Sequence, residues 1–83
     1  MAVSERIPLD VYRLTLRQRF ALHCALTDTA RSGATTARNV ADRSGMDWDT
    51  RQTRAALETL LRRGLVAKPT AGHYVITDAG RVA

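Results

Sequence analysis

Leu57-Glu58-Thr59-Leu60-Leu61-Arg62-Arg63-Gly64-Leu65-Val66 and, after Pro69-Thr70-Ala71-Gly72, the run His73-Tyr74-Val75-Ile76-Thr77-Asp78-Ala79-Gly80 form the stretch on which the fold turns. The first part repeats leucine at helical spacing and stops at a glycine. Beyond Gly64 the residues change to two short β-prone runs, Leu65–Lys68 and His73–Ile76, and the segment Pro69–Gly72 between them predicts a hairpin turn. Thr77-Asp78 then caps a last helical stub that Gly80 keeps short.

Working upstream, Asp47 or Asp49 is a good cap for the helix that ends at Gly64, and Arg62 and Arg63 in its last turn suit the negative end of the helix dipole. On a helical projection Thr53, Ala56, Leu57, Leu60 and Leu61 share the inward arc, while Arg51, Gln52, Ala55, Glu58, Thr59 and Arg62 point away. Before it, Thr35 or Thr36 caps a short helix through Ala37–Arg43, closed by Ser44-Gly45. That helix has only Ala37, Val40 and Ala41 to bury, so it needs a longer partner. Further upstream, Thr15-x-x-Gln18 has capping-box spacing and opens a first helix running to about Arg31, where Ser32-Gly33 stops it. In this helix Leu16, Phe20, His23, Leu26 and Ala30 follow 3-and-4 spacing and are expected to form the core face, with Cys24 at its margin. Residues 1–14, with Pro8 disfavouring a helix through the residue before it, read as an N-terminal arm to a domain spanning 15–83.

The 83-residue chain has room for one domain, near the size at which a single core holds without staples. Its 13 Lys+Arg against 8 Asp+Glu leave a net charge of +5, the balance of a partner for polyanions. Every basic residue but Lys68 is arginine, apart from the two histidines. Cys24 is the single cysteine, so no internal disulfide forms, and one thiol with two distant histidines makes no zinc site. No apolar run approaches the roughly 20 residues of a membrane span, and Met1–Pro8 lacks the apolar centre of a signal peptide, so a cytoplasmic protein is expected. Neither a nucleophile–base pair nor a carboxylate cluster nor a phosphate-cradling glycine loop is visible, and no enzyme activity, cofactor or small-molecule substrate is expected.

Leu57-x-x-Leu60-x-x-x-Gly64-Leu65-Val66, with Tyr74-x-Ile76-Thr77-x-x-Gly80, resembles the L-x-x-L-x-x-x-G-L-V … Y-x-L-T-x-x-G pattern of MarR-like and related winged-helix regulators, over roughly Thr15 to Gly80. One departure is a longer interval after Gly45, filled by Met46-Asp47-Trp48, which leaves the start of the third helix open. The resemblance implies a mainly α winged helix-turn-helix, a three-helix core with a β-hairpin wing, and a transcriptional regulator of bacterial or phage origin that binds double-stranded DNA. By that likeness the third helix enters the major groove, and Arg51, Gln52, Arg54 and Ala55 are the candidate base readers. Thr35, Thr36, Arg38, Arg43 and Arg62 are the candidate phosphate contacts, and Lys68 and His73 the wing contacts. A homodimer is expected, through the arm before Thr15 and the residues after Gly80. The competing reading is a winged-helix protein-interaction module without direct DNA readout. Trp48 is expected to cover the turn before the third helix, and His23 and Cys24 to be packing residues.

Overall fold

A computed structural model describes residues 14–45 and 47–82. Among these the chain is mainly helical, with four helices and one two-stranded antiparallel hairpin, an architecture compatible with a winged helix. Helix α1 spans Leu16–Ser32, α2 Ala37–Ser44 and α3 Thr50–Arg62; strand β1 spans Val66–Thr70 and β2 His73–Ile76; α4 spans Asp78–Val82. The expected arm lies outside the described residues except for its last member, Leu14, which is buried in the core. The core thus includes Leu14, the residue before the helix cap.

Side chains set each helix start. Thr15 and Gln18 form the capping box reciprocally, the Gln18 N–H donating to Thr15 Oγ1 at 3.1 Å and the Thr15 N–H to Gln18 Oε1 at 3.0 Å. Of the two candidates for α2, Thr36 is the cap, accepting from the Asn39 N–H at 3.1 Å. Of the two for α3, it is Asp49, whose Oδ1 accepts from the Gln52 N–H at 2.6 Å and fixes the helix start at Thr50. The helix ends at Arg62, and Gly64 takes φ +77°, a left-handed conformation that lets the chain reverse into β1. Thr77 Oγ1 donates to the Gly64 carbonyl at 2.6 Å and so pins this exit.

The core is built as expected on the inward arc of α3, where Thr53, Ala56, Leu57 and Leu60 are buried and Leu61 is packed at the edge. Val40 and Ala37 come from α2, and Leu65, Val66, Tyr74 and Ile76 from the hairpin and its lead-in. The contribution of α1 differs from the expectation. Leu16 is 71% and Leu26 41% exposed, His23 and Ala30 also face solvent, and only Phe20 of that stripe packs partly on the core. The buried set is Ala21, Leu22, Cys24, Ala25 and Asp28. Three of these are small, which lets α1 approach its neighbours closely, and the rotation carries Asp28 inward to waiting partners. Cys24 is a packing residue, its thiol pushed above its ordinary range by burial, while His23 is not.

In the hairpin Val66 pairs with Ile76, Ala67 with Val75 and Thr70 with His73, with an irregularity between Ala67 and Thr70. The turn is thus Ala71-Gly72 and not the whole of Pro69–Gly72, because β1 continues through Pro69 to Thr70, with the irregularity falling where Pro69 has no N–H for a regular ladder. A third, one-residue strand joins the sheet: the Thr35 N–H donates to the Tyr74 carbonyl at 2.8 Å, and the Tyr74 N–H to the Thr35 carbonyl at 2.9 Å. At the far end Gly80 is buried against β2 and the α3 exit; a Cβ there would stand 2.1 Å from the Leu65 carbonyl oxygen and 2.7 Å from Ile76 Cδ1. Close approach of backbones requires this glycine.

Candidate nucleic-acid interface

The Asp49 cap places Arg51, Gln52, Arg54 and Ala55 in the first two turns of α3, and all four are exposed. Arg51 and Ala55 lie opposite Thr53, Leu57 and Leu60, the residues that seat the helix in the core, and Gln52 and Arg54 flank that buried face. Neither Arg51 nor Arg54 makes a side-chain hydrogen bond or ion pair among the described residues. The arc therefore presents two uncommitted guanidinium groups, one amide and one small side chain that permits close approach. Arg62 shares the arc as the last residue of α3, its Nη2 donating to Thr59 Oγ1 at 3.0 Å.

The other candidate residues divide. Arg38 is exposed on α2 and free of side-chain partners among the described residues, and Thr36 is half-buried at the start of that helix. Thr35 is not at the surface. It is fully buried and its hydroxyl donates to Asp28 Oδ2 at 2.6 Å, since the backbone bridge to Tyr74 turns its side chain into the core. Arg43 is not free either, because its Nη1 donates to Asp28 Oδ1, closing an ion pair between α1 and α2. Asp28 was not singled out by sequence patterning. The available signal was its place in the second half of α1, where a carboxylate opposes the helix dipole and so needs a specific cation. Around this pair Asp28, Arg31, Ser32, Asn39 and Arg43 line an open polar cleft of roughly 350 Å³.

On the hairpin, His73 is exposed with Nδ1 3.2 Å from the Ala71 carbonyl oxygen. Lys68, expected as a wing contact, donates to Glu58 Oε2 of α3 at 2.7 Å. The Tyr74 hydroxyl donates to the same oxygen at 2.6 Å. These two hydrogen bonds hold the Glu58 carboxyl below its ordinary range, and burial, aided by Glu58, pushes the Tyr74 phenol up to about 12. Trp48 covers the lead-in to α3 as expected: its ring meets Phe20 edge-on at 5.5 Å, and the Arg17 guanidinium lies 4.9 Å from its centroid.

Comparison with protein-family models, curated proteins and solved structures found no match to this chain. Among the described residues no helix is long and apolar enough to cross a membrane.

Proposed function

We propose that the chain is a winged helix-turn-helix domain that binds double-stranded DNA in a sequence-dependent way and serves transcriptional regulation. The observation that carries this reading is the exposed arc of α3, where Arg51, Gln52, Arg54 and Ala55 project from a helix whose opposite side is rigidly seated in the core. Arginine can present two parallel donors to guanine, and glutamine can pair with adenine. A base-reading helix needs this combination of a fixed backbone and unengaged polar side chains. Arg38, on the neighbouring α2, supplies a cation for the phosphate backbone, and the net charge of +5 supplies long-range attraction.

The apolar stripe on the outer side of α1 supports a protein-interaction reading as well, since Leu16 is 71% and Leu26 41% exposed. That stripe lies on the side of α1 turned away from the core, so it does not compete with α3 for the same partner.

The test is selection of bound duplexes from a random-sequence pool, followed by affinity measurements across a salt series. Log affinity should fall linearly with log salt. Arg51→Ala, Gln52→Ala and Arg54→Ala should each cost about 1–3 kcal/mol at the selected site and much less on random duplex. Arg38→Ala should weaken all sequences alike and lower the salt slope by about one. Failure to bind any duplex at low salt would overturn the reading, and a change of sequence preference confined to Arg38→Ala would move base reading from α3 to α2.

A further inference from the structure

Glu58 recurs on the same helical arc as Arg51, Ala55 and Arg62, yet its carboxylate is turned to the hairpin. A single oxygen, Oε2, receives both the Lys68 ammonium at 2.7 Å and the Tyr74 hydroxyl at 2.6 Å, and the ammonium also lies 5.5 Å from the centroid of the Tyr74 ring. Lys68 and His73 are the only basic residues of the hairpin.

We propose that Glu58 is a specificity-determining residue that holds Lys68 away from the DNA backbone, so that the hairpin adds no sequence-independent grip to base reading by α3. This rests on the DNA-binding reading above. An exposed Lys–Glu pair is ordinarily a weak contact that a phosphate can replace. Here the carboxylate cannot withdraw. Tyr74 is 1% exposed, and Glu58 is the acceptor the structure gives its hydroxyl, so moving Glu58 would strand a buried donor. A phosphate approaching Lys68 therefore meets a negative charge pinned beside it. The same two hydrogen bonds hold the Glu58 carboxyl below its ordinary range, which keeps it ionised at neutral pH. With its charge already matched, Lys68 has little counterion to release to DNA. Arg51 and Arg54 of α3 and Arg38 of α2, by contrast, are exposed with no side-chain partner among the described residues.

Lys68 is the only lysine of the chain, which makes its amine a unique reporter. The experiment compares the wild-type protein, Glu58→Gln, Lys68→Ala and the double variant, by the salt dependence of binding to a random-sequence duplex and by acylation of the Lys68 amine mapped by mass spectrometry. Glutamine keeps an acceptor oxygen for Tyr74, so the fold is retained, and Lys68→Ala gives a handle that leaves Glu58 in place. Lys68→Ala alone should leave the salt slope unchanged. Glu58→Gln should steepen it by about 0.9, a roughly 3.5-fold larger loss of affinity between about 50 and 200 mM salt, and should lower the ratio of cognate to random affinity. The steepening should vanish in the double variant. Lys68 should acylate faster in Glu58→Gln than in wild type, and duplex should protect it only in the variant. A lower slope for Lys68→Ala in the wild-type background, or protection of wild-type Lys68 by duplex, would show that the lysine already grips phosphate and would overturn the inference. Equal acylation in wild type and Glu58→Gln would overturn it alone, while absence of duplex binding by all four proteins would overturn the DNA reading on which it rests.

Discussion

Replacing Asp28 by asparagine attacks the polar junction at which the end of α1, the lead-in to α2 and the hairpin meet. Asp28 is 7% exposed, its Oδ2 accepts from the Thr35 hydroxyl at 2.6 Å, and its Oδ1 accepts from Arg43. Thr35 is wholly buried and holds the hairpin through its paired backbone bonds to Tyr74. Asparagine preserves the volume but offers one acceptor in place of two, and it sets an amide N–H against the hydroxyl or the guanidinium. A hydrogen bond to a charged buried group contributes about 1.5–3 kcal/mol. Because the Arg43 side chain is 36% exposed, its share is reduced to the ~0–1 kcal/mol of surface pairs. The sum, about 2–4 kcal/mol, should lower Tm by about 8–30 °C in a domain of this size. Thermal unfolding followed by circular dichroism measures it. A double-mutant cycle with Thr35→Val should return a coupling of about 1 kcal/mol or more, since the two side chains share one bond. A Tm within about 3 °C of wild type, or no coupling, would refute the assignment of Asp28 as the junction's acceptor.

Three further outcomes follow from the packing. Leu60→Ala, at a position 0% exposed, should cost about 2–5 kcal/mol and remove most of the cooperative transition of so small a domain; unchanged melting would mean that α3 is seated on another face. Gly80→Ala should destabilise by about 1–3 kcal/mol or undock α4, because its Cβ would stand 2.1 Å from a backbone oxygen; calorimetry showing no loss would refute the close approach. The Tyr74 phenol, raised from 10.0 to about 12 in the folded protein, contributes stability that is fully present below pH 10 and is lost as pH rises through about 12. Ultraviolet titration should accordingly show a late-ionising phenol, and Tyr74→Phe should abolish that late step; no phenol ionising late in folded protein would exclude the buried hydrogen bond.

The C-terminal half was legible because its signals are redundant. Leucines recur at 57, 60 and 61, Gly64 marks the exit, and β-prone runs flank the turn, so several physical requirements agree on one reading. The Thr15 cap was legible outright from its partner Gln18, whereas the caps of α2 and α3 were legible only as pairs of candidates. Thr35 and Thr36 are chemically equivalent, and the choice falls to Thr36 only because Thr35 is drawn inward by Asp28 and by its bridge to Tyr74. The exposure of Arg51, Gln52 and Ala55 could be read from the helical projection, whereas Arg54 and the role of all four came from the resemblance. The Lys68–Glu58 contact could not, because it joins residues ten apart on different elements and depends on the tilt of the hairpin.

Helix α1 shows why periodicity can select the wrong face. It carries two faces of suitable spacing, one with Leu16, Phe20, His23, Leu26 and Ala30, the other with Ala21, Leu22, Cys24, Ala25 and Asp28. Judged by apolar area the first should face inward, since burying leucine gains more than burying alanine or cysteine. The second goes in. Its small side chains bring the α1 backbone close to α3 and β2, where Leu57, Leu60 and Tyr74 fill the space that larger α1 residues would claim. The Asp28 carboxylate then reaches both the Thr35 hydroxyl and Arg43, residues separated from it by 7 and 15 positions in the chain. A stripe containing a carboxylate looks polar until its partners are known. Once they are, the same residue becomes the reason for the rotation, because turning the leucine stripe inward would leave the Thr35 hydroxyl buried without an acceptor.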